Sequence, residues 1–139
     1  MRCLLDVALA ERGIREIPGR LDNARIVEYL MTTTYPIPFH HIDEIPWCSA
    51  FVNWCCVQCN IPGTNSAWSQ SWIEDDWGVE CDEEVGAVVV FQWNPNSGHT
   101  AIIKDVAADG IYCVGGNQRN SVCISFFGRT YIRGYRKAA

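Results

Sequence analysis

Apolar residues recur at helical spacing in the first half of the chain and at strand spacing in the second. Leu4, Leu5, Ala8 and Leu9 predict a helix over residues 3–12, which Gly13 ends. Ile17-Pro18-Gly19 reads as a turn. Asn23 is the expected N-cap of a second helix over 24–32, with Ile26, Val27, Leu30 and Met31 on its apolar face. Residues 33–46 contain Pro36, Pro38 and Pro46 and predict a long loop, a type of segment that often carries function. Residues 47–59 are almost wholly apolar, with Cys48, Val52, Cys55 and Cys59 on one face. A helix with so little polar surface belongs at the centre of a fold. Ile61-Pro62-Gly63 stops it, and a short helix started by Ser69 is expected around 69–76.

After Gly86 the period changes. Ala87 to Phe91 predicts a buried strand. Short strands follow over Thr100–Val106, Gly110–Val114, Val122–Phe127 and Tyr131–Tyr135, with Gly or Asn between them. Helices followed by an antiparallel meander predict an α+β fold, N-terminal helices packed on a C-terminal sheet. The 139 residues fit a single domain, 1–139.

Charge narrows the function classes. A net charge of −5 lacks the electrostatic footprint of a nucleic-acid binder. No run approaches the roughly 18 apolar residues of a membrane span. Asp6 and Glu11 interrupt the N-terminal segment, which therefore lacks the apolar core of a secretory signal. The 8 cysteines suit either a disulfide scaffold or a reduced chain with buried thiols. Cys55, Cys56 and Cys59 crowd one helix, which favours free thiols. Cys113 and Cys123 join them as core fillers, and Cys3 and Cys81 have no assigned role. Cys56 and Cys59 form a Cys-x-x-Cys, to which Cys81, Cys113 and Cys123 could add metal ligands. No second close pair exists and the first lies in an apolar helix, so neither metal nor cofactor is expected.

Cys48 falls in the first turn of the central helix, where free amides and the positive dipole end favour a thiolate. His99 follows Gly98 at the start of an apolar strand and is the candidate base; His40 and His41 are weaker ones. If the strands over 100–106 and 110–116 form a hairpin, Asn117 returns near His99 and could hold the imidazole tautomer. Each residue also has a purely structural reading: a buried thiol, a satisfied histidine, a turn asparagine.

The segment Pro46-Trp47-Cys48-Ser49-Ala50-Phe51-Val52-Asn53-Trp54 resembles the nucleophile helix of CHAP domains, the cysteine- and histidine-dependent amidohydrolases/peptidases. Gly86 to Phe91 with Gly98-His99-Thr100-Ala101-Ile102 resembles their histidine hairpin. Gly115-Gly116-Asn117-Gln118 is similar to the motif closing the site in a phage- and bacterium-associated branch. The resemblance implies a papain-like fold and hydrolysis of peptidoglycan amide bonds, with Cys48 as nucleophile, His99 as base and acid, and Asn117 as the orienting residue. In the mechanism this suggests, the Cys48 amide at the helix start is the expected oxyanion donor. Many CHAP domains carry a Glu two residues before the Asn, where this chain has Gly115. Trp68, Trp72 and Tyr35, with Trp47 beside the nucleophile, are candidates for a substrate-stacking rim, although most tryptophans in small domains fill the core. Asp43 and Glu44 could line the cleft. The expected protein is a monomeric, reduced endolysin of a bacteriophage, held in the host cytoplasm until released to the cell wall. A bacterial antagonism effector and an inactive wall- or protein-binding module are the alternatives.

Overall fold

A computed structural model describes residues 3–16, 24–34 and 47–139. The expected turn at 17–19, the Asn23 cap, and Tyr35, His40, His41, Asp43 and Glu44 lie outside the described residues.

Helix α1 spans Cys3–Ala10 and α2 spans Ala24–Leu30. Gly13 takes a φ of +98° and donates its N–H to the Val122 carbonyl at 3.0 Å, tying the end of the first helical segment to the sheet. In α2, Ile26 and Leu30 are buried as expected, but Met31 is 68% exposed. Tyr29 takes the core position instead: its hydroxyl donates to Glu11 at 2.8 Å, which satisfies the polar tip of a buried ring. Helix α3, Cys48–Gln58, buries every residue from Cys48 to Cys56. The Tyr29 ring packs on Trp47, Phe51 and Trp54 with centroids 5.8, 5.1 and 5.3 Å away. Helix α4, Ser71–Glu74, is a single turn. Gln70, not Ser69, precedes it, and its side-chain amide is committed to the Phe91 carbonyl at 2.8 Å.

Six antiparallel strands follow: β1 Val79–Glu80, β2 Val88–Asn94, β3 Ser97–Ala107, β4 Gly110–Gln118, β5 Ser121–Phe127 and β6 Ile132–Lys137, in the spatial order β1-β6-β2-β3-β4-β5. β2 to β5 form the expected meander. β6 departs from it and crosses back to lie beside β2. Arg129 anchors that crossing: its guanidinium grips the Glu83 carboxylate at 2.7–3.0 Å and donates to the carbonyls of Ala107 and Ala108 in the β3–β4 turn. Val88, Val90, Ile102, Val114 and Val122 face α1, α2 and α3, while Val89, Phe91, Ala101, Ile103 and Cys113 form a second core on the other side. Both faces of β2 are thus covered, which accounts for its unbroken apolar run. α3 lies across β3 and β4, with α1 beside it. Among the described residues no helix is long and apolar enough to cross a membrane.

The expectation of eight free thiols is corrected at one pair. Cys3 and Cys59 form a disulfide that joins the first turn of α1 to the end of α3 across 56 residues. Their separation in sequence hides the pairing, and the docking of α1 against α3 creates it. Cys59 is therefore not a free filler, and Cys56 and Cys59 are not a pair of free thiolates. Closing a loop of this length contributes roughly 4 kcal/mol on the chain-entropy scale. The double variant Cys3→Ser/Cys59→Ser is expected to lose about that much unfolding free energy in urea melts. Reductant should lower the wild-type midpoint and leave the variant's unchanged.

Candidate active site

Cys48 is the first residue of α3, and the amides of a helix's first turn have no intrahelical partners. The Trp47 carbonyl accepts the Phe51 N–H at 2.9 Å and closes that turn. Cys48 is only 5% exposed. The His99 imidazole and the backbone N–H groups of Ser49 and Thr100 act on its sulfur in favour of the thiolate. Burial is the largest influence on the thiol and pushes its pKa up. The adjacent imidazole, its hydrogen bond and the two amides together outweigh burial, and the thiol ionises below its ordinary value. His99 mirrors this. Burial pulls its pKa down most strongly, but the nearby Cys48 thiolate and the ring's own bond to the Gln118 oxygen carry it above the ordinary histidine value. Thiolate and imidazolium therefore stabilise each other.

His99 stands at the start of β3, opposite Phe91 of β2. Gly98 before it has no room for a side chain: a Cβ there would run into the Gln70 amide and the Phe91 carbonyl. The Ser69–Gln70 segment therefore packs directly beside the histidine.

The far nitrogen of the imidazole meets Gln118, not Asn117. His99 Nε2 and Gln118 Oε1 are 3.0 Å apart. The Gln118 Nε2 donates to the carbonyls of Cys113 at 3.2 Å and Cys123 at 2.7 Å. Two carbonyls can be satisfied only by an NH₂ group, so the amide oxygen must face His99. An oxygen acceptor there requires Nε2 to carry a proton, which leaves Nδ1 for Cys48.

The local backbone explains the change of residue. The β4–β5 register slips between Gly115 and Gln118, and Asn117 sits in the left-handed region at φ 59°. A Cβ at position 115 would lie 2.5 Å from Gln118 Oε1 and 2.9 Å from the Ala101 methyl. The Gln118 side chain folds back into the space that Gly115 leaves open. Asn117 instead lines a cavity beside His99. Gly116 serves α3: a Cβ there would lie 2.7 Å from the Trp47 ring and from Phe51. The signal for Gln118 was in the sequence, a glycine where CHAP domains often carry Glu, but reading it required the bulge.

Two rim candidates are corrected. Trp47 is fully buried and donates its indole N–H to Glu16 at 2.7 Å. Trp72 is fully buried and donates to the Ser49 hydroxyl at 2.9 Å, which fixes the residue after Cys48. Both hold the helix and neither offers a surface for stacking. Trp68, 56% exposed, is open to solvent.

The cavity beside His99 has a volume of about 290 Å³ and is lined by Trp93, His99, Asn117, Gln118, Arg119, Ser125 and Phe127. Trp93, Arg119, Ser125 and Phe127 were not singled out by the sequence reading. Cys123 adds a second activated thiol. Burial raises its pKa most, but the Ser125, Ser121 and Gln118 hydrogen bonds and the Arg119 charge bring it below the ordinary value. Burial drives Cys55, Cys56 and Cys113 upward. Alkylation at neutral pH should therefore modify Cys48 and Cys123 well before those three, as read by peptide mass mapping. Uniform labelling of all the free thiols would contradict this electrostatic picture.

The model of the CHAP domain family matches residues 40–117. This chain belongs to the CHAP family. No curated protein matches it. CHAP domains are in general cysteine-dependent hydrolases, and membership implies a function of the peptidoglycan amidase or peptidase type. The matched span contains Cys48, His99 and Asn117 and stops one residue short of Gln118.

Proposed function

We propose that this CHAP domain cleaves a peptidoglycan amide bond by acyl transfer through Cys48 and His99, with Gln118 holding the imidazole. The observation that carries the reading is the buried Cys48–His99 pair with Gln118 hydrogen-bonded to the imidazole at 3.0 Å, its thiol shifted down and its histidine shifted up. The Cys48 thiolate attacks the amide carbonyl carbon. The resulting oxyanion lies at the helix end, where the Cys48 N–H supplies a donor. The C–N bond breaks as imidazolium passes its proton to the leaving amine, and a thioester remains. His99, now neutral, takes a proton from water while the hydroxide attacks the thioester. The C–S bond breaks, the carboxylic acid leaves, and the thiolate–imidazolium pair is restored. Gln118 stays neutral throughout and keeps Nδ1 aimed at sulfur.

The resemblance of Gly115–Gln118 to the phage- and bacterium-associated branch favours an endolysin-type role. Digestion of purified peptidoglycan followed by mass spectrometry tests the function and names the bond. New amino groups matched by new carboxyl groups or free muramic acid ends are expected. Intact peptidoglycan after prolonged digestion would overturn the reading.

A further inference from the structure

We propose that the cavity beside His99 receives the amine half of the substrate and recognises a free carboxylate on it through Arg119. The inference rests on the acyl-transfer reading above for its orientation. His99 and Gln118 line the cavity and Cys48 does not, so it lies on the imidazole side of the pair. The imidazole is the group that gives its proton to the leaving amine. Nδ1, which faces Cys48, gives that proton, so the amine sits at that end of the ring and the part of the substrate attached to it extends past the imidazole towards the cavity.

The walls indicate what fits. Trp93 and Phe127 stack on each other at 6.4 Å and present apolar surface, while Asn117 and Ser125 supply hydrogen-bonding groups. Among the described residues no carboxylate lines the space. A volume of about 290 Å³ suits one or two amino-acid residues rather than a polymer.

Among the described residues Arg119 is the only charged group on the cavity wall apart from His99. Other arginines are committed: Arg25 to Glu11 and Glu28, Arg129 to Glu83, Arg133 to Glu74, Arg136 to Asp76. Among the described residues Arg119 has no acidic partner, and it is exposed. In a chain of net charge −5, an anionic ligand is repelled by the molecule as a whole. One uncommitted guanidinium at the cavity then decides where an anion docks, and its planar fork matches a carboxylate.

The backbone supports a selected position. Arg119 and Asn120 join β4 to β5 with φ values of 52° and 59°, the two left-handed residues of a tight hairpin turn. Asn, Asp and Gly usually fill the first of these positions, and arginine is a poor fit there. A side chain kept against local preference beside a reactive pair is the pattern of a functional residue.

The test uses Cys48→Ala protein, which cannot turn over, and follows Trp93 by NMR. It is titrated with alanyl-glutamate as the free acid and with the same dipeptide fully amidated. The free acid is expected to bind at least fivefold more tightly, and Arg119→Asn, which suits the turn better and should fold at least as well, is expected to remove the preference. Equal affinities, no binding of either, or a preference that survives Arg119→Asn would overturn the proposal. If the preference holds while wild-type protein leaves peptidoglycan intact, the subsite stands and the acyl-transfer reading fails. Hydrolysis without the preference reverses that outcome.

Discussion

Cys48→Ala is expected to abolish amide hydrolysis while leaving the fold in place. The variant removes the sulfur that forms the acyl-enzyme, and losses of on the order of 10⁴–10⁶-fold in kcat accompany removal of a covalent nucleophile. The structural cost is small, because the side chain is short and lies at a helix start rather than in the centre of the core. Cys48→Ser separates chemistry from packing. It retains nearly the same volume, but a hydroxyl ionises far above a thiol, so the imidazole can no longer hold it as an anion. Both variants should give the wild-type circular dichroism spectrum and no loss of turbidity from permeabilised cells. Lysis by Cys48→Ala at the wild-type rate would end the assignment. Removal of the anion should also lower the pKa of His99, because the Cys48 charge is the main influence raising it.

Gln118→Ala is expected to reduce kcat by on the order of 10²-fold and to narrow the pH–rate profile from its alkaline side. Activity requires thiolate and imidazolium together. The rate therefore rises with pH through the lowered Cys48 pKa and falls with pH through the raised His99 pKa. The Gln118 bond is one of the influences raising the histidine. Its loss moves the alkaline limb to lower pH. The same change strips the Cys113 and Cys123 carbonyls of their donor, which costs about 1–3 kcal/mol of stability where such a group is buried. A merely structural residue would show that stability loss without the displaced limb. Position 115 supplies a sharper check. Gly115→Glu alone should impair the enzyme, because its Cβ collides with the Gln118 oxygen. Combined with Gln118→Ala, it can place a carboxylate in the vacated space, and part of the rate and of the alkaline limb should return. No recovery in the double variant would separate the role of Gln118 from that of the Glu common at this position in CHAP domains.

The parts of the site visible in the sequence are those set by local pattern. An unbroken apolar run locates α3 and puts Cys48 at its start. Gly98 before an apolar strand locates His99. Gln118 was less legible because its role depends on a register slip and on an empty volume at Gly115, and neither follows from residue order. Trp47 and Trp72 read as surface aromatics because the acceptors that let them be buried, Glu16 and Ser49, come from other elements. Tyr29 was overlooked as a core residue for the same reason: Glu11, on another segment, receives its hydroxyl. The Cys3–Cys59 bond depends on how two helices dock, which local spacing does not encode.

The position of β6 governs the order in which this chain can be completed. It is the last of these six strands in the sequence, yet it sits inside the sheet, between β1 and β2. Until residues 132–137 emerge during synthesis, β2 has an open edge carrying Val88-Val89-Val90-Phe91. That stretch is short, apolar and uncharged, the composition that pairs readily with strands of other chains. The growing polypeptide thus holds its nucleophile, its base and most of its sheet before it can cover its most adhesive edge.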